Sequence, residues 1–154
     1  MKNKMPKNKQ DLSPDSGITP GKKRKCNSRT KGHTAEIKYA KIFREELGFG
    51  KCKTSRQASR LLDDSGIDLA NVPYNIQIKK GYWDRRPKAD ELFKQMKRIL
   101  VDNFMEDDPR HNYPKVLIHE LDGYKDEHCL VTMMWKDWVE MLKIYNKEIH
   151  NINL

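Results

Sequence analysis

The sequence lacks long apolar runs, paired cysteines and an apolar N-terminal segment, and each absence excludes a class of protein. No apolar run approaches the roughly 18 residues of a membrane-spanning helix, so we expect no membrane partner. The three cysteines, Cys26, Cys52 and Cys129, are scattered over 154 residues without a Cys-X-X-Cys pair. This scatter argues against a disulfide framework or a structural zinc site. The basic N-terminus has no secretory core, so a reducing cytoplasm is the expected compartment.

Several common catalytic motifs are also missing. The chain contains no phosphate-binding P-loop, dinucleotide fingerprint or nucleophile elbow. His119 and Glu120 begin the segment HELDG, which lacks the second histidine of a zinc protease helix. We therefore interpret His119 as a structural residue.

The positive charge is concentrated at the N-terminus. Of the formal net charge of +9, residues 1–31 carry +8 and residues 32–154 carry +1. Residues 1–30 hold almost no large apolar side chains, so we expect a disordered tail followed by one domain over 31–154. Such a tail can bind a polyanion by releasing its counterions, or it can be a solvated leader, and both interpretations stay open.

The apolar spacing of residues 31–154 predicts a mixed α/β sandwich with a central sheet flanked by helices. A helix should begin near Thr34 and run to Gly48. A second helix should follow Pro87, and a third should close the chain. Residues 55–64 are ambiguous between a loop and a helical turn. The predicted strands cover 49–55, 66–70, 75–80, 115–121 and 128–134, and the closing helix covers 135–149.

The closing helix has an apolar face rich in aromatic residues. The face comprises Trp135, Trp138, Val139, Leu142 and Tyr145. We expect these side chains to enter the core rather than to form a platform for stacking nucleic-acid bases.

The segment GIDLANVPYNIQIKK, residues 66–80, combines apolar alternation with polar chemistry. Because side chains alternate between the two faces of a strand, Ile76 and Ile78 should enter the core while Gln77 and Lys79 share the opposite face. A hairpin partner that contains Asp68 would place a carboxylate beside Gln77. Oxygen ligands of this kind suit Mg²⁺. The alternative is an ordinary amphipathic hairpin with a solvated polar face.

The spacing Asp68-X8-Gln77-X-Lys79 resembles the core signature of the PD-(D/E)XK nuclease superfamily. The helix in KGHTAEIKYAKIFREELGFG, with Gly32 and then Glu36, resembles the opening of Holliday junction resolvase-like and phage endonucleases. The segment TSRQASRLLDDSGIDLA resembles theirs as well. The similarity covers residues 31 to about 100 and implies a restriction-endonuclease-like αβββαβ core.

The resemblance implies Mg²⁺-dependent hydrolysis of DNA phosphodiesters, with Mn²⁺ as a substitute metal. Asp68, Gln77, the Ile78 carbonyl and Glu36 would hold the metal, and Lys79 would orient the attacking water. It also implies a homodimer, a branched DNA substrate, and a bacterial cytoplasm or the host cytoplasm of a phage.

The chain departs from the superfamily pattern at Gln77, where an acidic residue is usual. An amide oxygen binds hard cations without adding charge, so metal affinity should fall unless Glu36, Asp63 or Asp64 compensates. A non-catalytic DNA-binding or virion-associated protein on the same scaffold is therefore the alternative function. An RNA-processing nuclease is a third hypothesis.

Further polar residues around the motif are candidates for DNA contact. The set comprises Arg56, Arg60, Lys80, Arg85 and Arg86, with Tyr82 and Trp83 as a wedge for a branch point. Arg56 and Arg60 can equally pair with Asp63 and Asp64, and GYWDRRPK can equally be a twisted surface turn. Gln95 occupies a position where some relatives have a functional glutamine, but we expect a surface residue.

Overall fold

The computed structural model describes residues 28–81, 84–125 and 128–152 of the chain. These described residues form five α-helices and five strands. They are α1 (Ser28–Glu45), β1 (Lys53–Thr54), α2 (Ser55–Ala58), α3 (Arg60–Asp64), β2 (Leu69–Ala70), β3 (Asn75–Gly81), α4 (Ala89–Asn103), β4 (Lys115–Leu121), β5 (Leu130–Met133) and α5 (Trp135–Ile152). A short 3₁₀ turn, Pro109–Asn112, precedes β4. No helix in the described part of the chain is long and apolar enough to span a membrane.

The first helix starts earlier than the sequence predicted. It begins at Ser28 rather than near Thr34, so it takes in three residues of the expected tail. Ala35, Tyr39 and Ala40 form its buried face, which follows the spacing of a helix packed on one side. The helix ends at Glu45, and Gly48 follows with a φ of 77°, a left-handed conformation that glycine adopts readily.

The strands form a three-stranded sheet and a small ribbon. In the sheet, β4 lies between β3 and β5, parallel to β3 and antiparallel to β5. The parallel pair is joined through α4, the kind of crossover that parallel strands require. The two-residue strands β1 and β2 pair antiparallel with each other. The predicted mixed α/β fold with helices around a sheet is confirmed at this level.

Two apolar clusters form the core of the described residues. Ile76, Ile78, Val116 and Ile118 pack with the buried face of α1, as alternation along β3 predicted. The second cluster joins α4 to the segment around β2 through Met96, Leu100, Ile67, Ala70 and Leu62. The helix predicted after Pro87 and its apolar face are therefore confirmed.

The prediction for the closing helix was wrong. Trp135 is 73% exposed and Tyr145 61% exposed, and Trp138 is also on the surface at 39%. Val139 and Leu142 are only half-buried. The spacing of apolar residues correctly predicted a helix. It could not indicate whether other residues of this chain pack against the apolar face of that helix.

Candidate functional site

Asp68 lies at the free edge of β3, immediately before β2. Its backbone N–H donates a 2.7 Å hydrogen bond to the Ile76 carbonyl. Its carboxylate oxygen Oδ2 accepts a 2.6 Å hydrogen bond from the Ile78 N–H. Because the N–H and C=O of one strand residue point to the same edge, the Ile78 carbonyl also lies on this edge. The structure thus places Asp68 beside the Gln77 segment. The predicted hairpin of residues 66–70 with 75–80 was nevertheless wrong, because β2 covers only Leu69–Ala70 and pairs with β1 rather than with β3.

Gln77 is buried rather than solvated. It is 8% exposed and lies opposite Leu117 on the face of β3 that points away from Ile76 and Ile78. Its side-chain oxygen Oε1 has no hydrogen-bond donor among the described residues. A buried acceptor without a donor costs free energy. The amphipathic hairpin with a solvated polar face is therefore not what the structure has at this position.

A glycine makes room for the Gln77 side chain. Gly66 has a φ of 72°, and a Cβ added there would lie 3.0 Å from Gln77 Nε2. Any larger residue at position 66, two positions before Asp68, would have to displace the Gln77 amide.

We expect Gly66→Ala to destabilise the protein more than Gly48→Ala. Both glycines have a left-handed φ, but a Cβ at Gly48 meets nothing within 4 Å. Each substitution should cost about 1–2 kcal/mol from backbone conformation, and only Gly66→Ala adds the clash with Gln77. Urea unfolding of both variants measures the difference. Equal losses would show that the Gln77 amide moves aside without cost.

A buried glutamate on α1 joins this site through an arginine. Glu36 Oε2 lies 3.2 Å from Arg56 Nε and 3.4 Å from His33 Nδ1. Arg56 Nε also lies 3.4 Å from Asp63 Oδ1. The guanidinium therefore bridges two carboxylates, Glu36 and Asp63. The ion pair of Arg56 with Asp63 agrees with one of the two interpretations given for Arg56. Its second ion pair, with Glu36, was not predicted.

The electrostatics of the site are centred on Asp68. Burial raises the pKa of its carboxyl to about 7, although the hydrogen bond from the Ile78 N–H opposes the shift. The neighbouring charges of Glu36 and Asp63 raise the pKa further, whereas Lys79 lowers it. Glu36 and Asp63 therefore oppose the ionisation of Asp68, and Lys79 favours it. A cation bound beside Asp68 would favour its ionised form in the same way as Lys79.

The two consecutive lysines at the end of β3 lie on opposite faces. Lys79 is half-buried on the Gln77 face and interacts with Asp68. Lys80 is on the other face and pairs with Glu120 of β4, which also accepts a 3.1 Å hydrogen bond from Lys38 Nζ. Although burial raises the pKa of Glu120, the hydrogen bonds from Lys80 and Lys38 outweigh it and hold that pKa below its usual range.

The remaining predicted contact residues are on the surface. Arg60 is exposed and pairs with Asp64 at 3.8 Å. Arg85 and Arg86 are exposed at the start of the segment that leads into α4, and Gln95 is exposed on α4 itself. Tyr82, Trp83 and the tail residues 1–27 lie outside the described residues. His119 is buried in β4 as expected, and burial lowers the pKa of its imidazole.

Sequence reasoning missed the links that join distant segments. Glu120 meets Lys38 across 82 positions of the chain, and Arg56 meets Glu36 across 20. No local pattern indicates such a pairing. Only the spacing of His33 and Glu36, one helical turn apart, could have suggested that the two interact.

The oxygen atoms of these residues are of the type that hard cations bind, but few of them carry a charge. Among the described residues, no three His, Cys, Asp or Glu side chains are arranged to hold a metal ion. The available atoms are instead the Asp68 and Glu36 carboxylates with the Ile78 carbonyl and the donorless Gln77 amide oxygen. Mg²⁺ takes one or two carboxylates and fills its remaining positions with neutral oxygens and water, so the residues present fit this ion.

No protein-family model, curated protein or solved structure matches the chain.

Proposed function

We propose that the protein is a Mg²⁺-dependent endodeoxyribonuclease with a restriction-endonuclease-like αβββαβ core of the PD-(D/E)XK type. One observation carries the proposal. The half-buried Asp68 carboxylate is hydrogen-bonded to the edge of β3 next to Gln77, and the charges of Glu36 and Lys79 act on it. The three charged residues of the sequence signature therefore influence one another, although Asp68 and Glu36 are 32 positions apart, and this supports the proposal.

Each side chain has a distinct role in the proposed hydrolysis. Asp68 and the Gln77 amide oxygen, with the Ile78 carbonyl, would hold Mg²⁺ or Mn²⁺, and Glu36 would bind it directly or through water. A bound metal of this kind lowers the pKa of a coordinated water and polarises a phosphate oxygen. Lys79 orients the attacking water and stabilises negative charge that develops on the scissile phosphate.

Arg56 has a second role in this proposal. Its guanidinium pairs with Glu36 and Asp63. If Glu36 held a cation instead, Arg56 would be able to contact a DNA phosphate, as a planar donor suited to phosphate oxygens. This change of partner would reconcile the observed ion pairs of Arg56 with its proposed role in DNA contact.

Affinity for DNA comes mainly from charges outside the site. Residues 1–31 carry a net +8. Arg60 is exposed on α3, and Arg85 and Arg86 are exposed between β3 and α4. Contacts of this type position a nucleic acid without reading its sequence. A branched substrate and a homodimer that cuts two strands are part of the same proposal.

Cleavage of end-labelled DNA tests the proposal. Four-way junction, flap and linear duplex substrates are incubated with the full chain and Mg²⁺, Mn²⁺ or EDTA, alongside a matched RNA duplex. We expect nicks with 3′ or 5′ phosphate ends only when metal is present, with the junction cut fastest. Cleavage that is unaffected by EDTA would contradict the proposed metal-dependent nuclease. Preferential cutting of RNA would indicate an RNA-processing nuclease instead.

A non-catalytic DNA-binding protein on this scaffold is the second candidate. The neutral Gln77 favours it, because the site has one charge fewer than the superfamily signature provides. This candidate predicts salt-sensitive binding of all three DNA substrates without cutting under either metal. The same incubations distinguish the two functions when binding is followed by gel shift.

A further inference from the structure

A groove between α4, β4 and the start of α5, here called the lysine groove, gathers four lysines. Its volume is about 360 Å³, and its charged lining comprises Lys94, Lys97, Lys115, Lys136, Asp90 and Asp137. With His111 neutral, the groove therefore carries a net charge of +2, whereas residues 32–154 as a whole carry +1. This part of the surface is more positive than the domain to which it belongs.

The lysines of the groove are unpaired. None of the four has a carboxylate within ion-pairing distance among the described residues. In the same part of the chain, six other lysines do pair with a carboxylate, namely Lys31, Lys38, Lys41, Lys80, Lys88 and Lys143. The amino groups of the lysine groove are therefore available to an anion from outside the chain.

The position of Lys115 makes this arrangement costly in the free protein. Lys115 is half-buried at the start of β4. Burial lowers the pKa of its amino group, Asp137 opposes the shift, and the charges of Lys136 and Lys97 lower the pKa further. Like charges that are held together destabilise one another's charged forms. A bound anion would offset this cost, and perturbed groups in a groove are candidates for ligand binding.

The residue types in the groove favour a phosphate over a carboxylate as the anion. No arginine of the described residues lines the groove. The forked guanidinium of arginine is the group that matches a planar carboxylate, whereas lysine binds phosphate as a point charge with three rotatable donors. Lys94 and Lys97 lie one helical turn apart on α4, and the other two lysines come from β4 and α5. Donors from three elements can surround a tetrahedral phosphate.

An apolar depression continues the groove. It has a volume of about 300 Å³ and shares Lys97, His111 and Lys115 with the lysine groove. The rest of its lining is mainly apolar and comprises Leu100, Val101, Phe104 and Glu106. A nucleotide has the same division, because its phosphate is anionic and its base has an apolar face that packs against apolar or aromatic side chains.

We propose that the lysine groove binds the phosphate of a nucleotide, with the base in the adjoining depression. A free nucleotide and a nucleotide within a strand present the same phosphate chemistry, and the experiment below distinguishes these two sources.

This site is separate from the proposed metal site. No described residue of either lining is Glu36, Asp68, Gln77 or Lys79. Lys115 lies opposite Asn75, and Lys79 is four residues further along β3, a separation of about 13 Å. The inference therefore does not depend on the proposed nuclease activity.

NMR titration of the isotope-labelled full chain in EDTA tests the site. The probes are inorganic phosphate, thymidine monophosphate and a short thymidine single strand. We expect saturable shifts of the amide signals of residues 94, 97, 115 and 136 with both nucleotide probes, and weaker binding of inorganic phosphate. The nucleotide probe that binds more tightly at these residues identifies the source as a free nucleotide or a nucleic-acid strand.

A charge-matched pair of variants tests the location of the site. Lys97→Gln/Lys136→Gln should weaken binding of the nucleotide probes at least about tenfold, because it removes two charged donors. Both lysines are exposed, so circular dichroism should show an unchanged fold. Lys51→Gln/Lys147→Gln is the control, because it changes the net charge equally at exposed positions outside the groove. The control should bind like the wild type.

Lys115→Met separates ligand binding from a structural role. The variant should lose nucleotide affinity and yet be at least as stable as the wild type in urea without nucleotide, because a half-buried charge among like charges is removed. A lysine that only supports the fold would instead lower the stability when it is replaced.

Four results would overturn the proposal. They are the absence of saturable shifts at the four groove positions with either nucleotide probe, saturation by inorganic phosphate alone, an equal loss of affinity in the Lys51/Lys147 control, and loss of nucleotide binding in Asp68→Asn. The last result would place the nucleotide in the proposed metal site. Unchanged binding by Asp68→Asn is expected, and it would hold even if the chain proved to have no nuclease activity.

Discussion

The Asp68→Asn variant should lose metal-dependent cleavage and yet be more stable than the wild type above pH 7. The loss of cleavage should be at least about a thousandfold, because the substitution removes a charge from the position that would hold the cation. The gain in stability follows from the buried carboxylate. Asparagine keeps the acceptor for the Ile78 N–H but carries no charge into the site.

The pH dependence of this gain has a definite sign. The pKa of Asp68 is raised from an ordinary 3.8 to about 7 in the folded protein. Below about pH 4 the carboxyl is protonated in both the folded and the unfolded chain. Between these values only the unfolded chain has released the proton, so the wild-type free energy of unfolding falls as the pH rises. Above pH 7 the full penalty, at most about 4 kcal/mol, is present in the wild type and absent in the variant.

Urea unfolding at pH 4 and pH 8, with and without Mg²⁺, measures this effect. The two proteins should differ little near pH 4 and most at pH 8, and Mg²⁺ should stabilise only the wild type. Asp64→Asn is the matched control, because Asp64 is an exposed carboxylate on α3, and it should show neither effect. A variant that is less stable than the wild type at pH 8 would contradict the assigned environment of Asp68.

Lys79→Ala should abolish cleavage without abolishing metal binding, whereas its neighbour Lys80 should be dispensable. Loss of a residue that orients the attacking water typically costs about 10²–10⁴ in rate. Because Lys79 is not a metal ligand in this account, Mg²⁺ should still stabilise the variant. Lys80 points to the opposite face, and Glu120 keeps Lys38 as a partner without it.

The matched pair Lys79→Ala and Lys80→Ala is compared in the same cleavage assay at saturating DNA. We expect Lys80→Ala to stay within about threefold of the wild type, since a single partly exposed ion pair contributes little. Equal losses in the two variants at saturating DNA would contradict the specific role of Lys79, because the two lysines lie on opposite faces of β3. Full activity of Lys79→Ala would remove this residue from the proposed mechanism.

The correct predictions came from local patterns in the sequence. Alternation along residues 75–80 predicted β3 and the burial of Ile76 and Ile78, and the spacing after Pro87 predicted α4. The short separation of Asp68 and Gln77 was enough to predict that the two are adjacent. Each of these features depends on neighbours within about ten positions.

The predictions that were wrong or missing concern features that depend on contacts between distant parts of the chain. The exposure of Trp135 and Tyr145 depends on what packs against α5, and the helical period is the same for a core face and for an interface. The bridge from Arg56 to Glu36 depends on how α1 meets α2, which no local pattern encodes. The burial of Gln77 required the sheet face opposite α1 to be covered as well.

The measurement that tests the central claim most directly is the location of a bound cation in crystals of the full chain grown with Mn²⁺. The anomalous signal of manganese distinguishes it from water. The account predicts a peak about 2.1 Å from an Asp68 carboxylate oxygen and from Gln77 Oε1, with Arg56 turned away from Glu36. Absence of a peak there at millimolar Mn²⁺, with Arg56 still bridging Glu36 and Asp63, would contradict it.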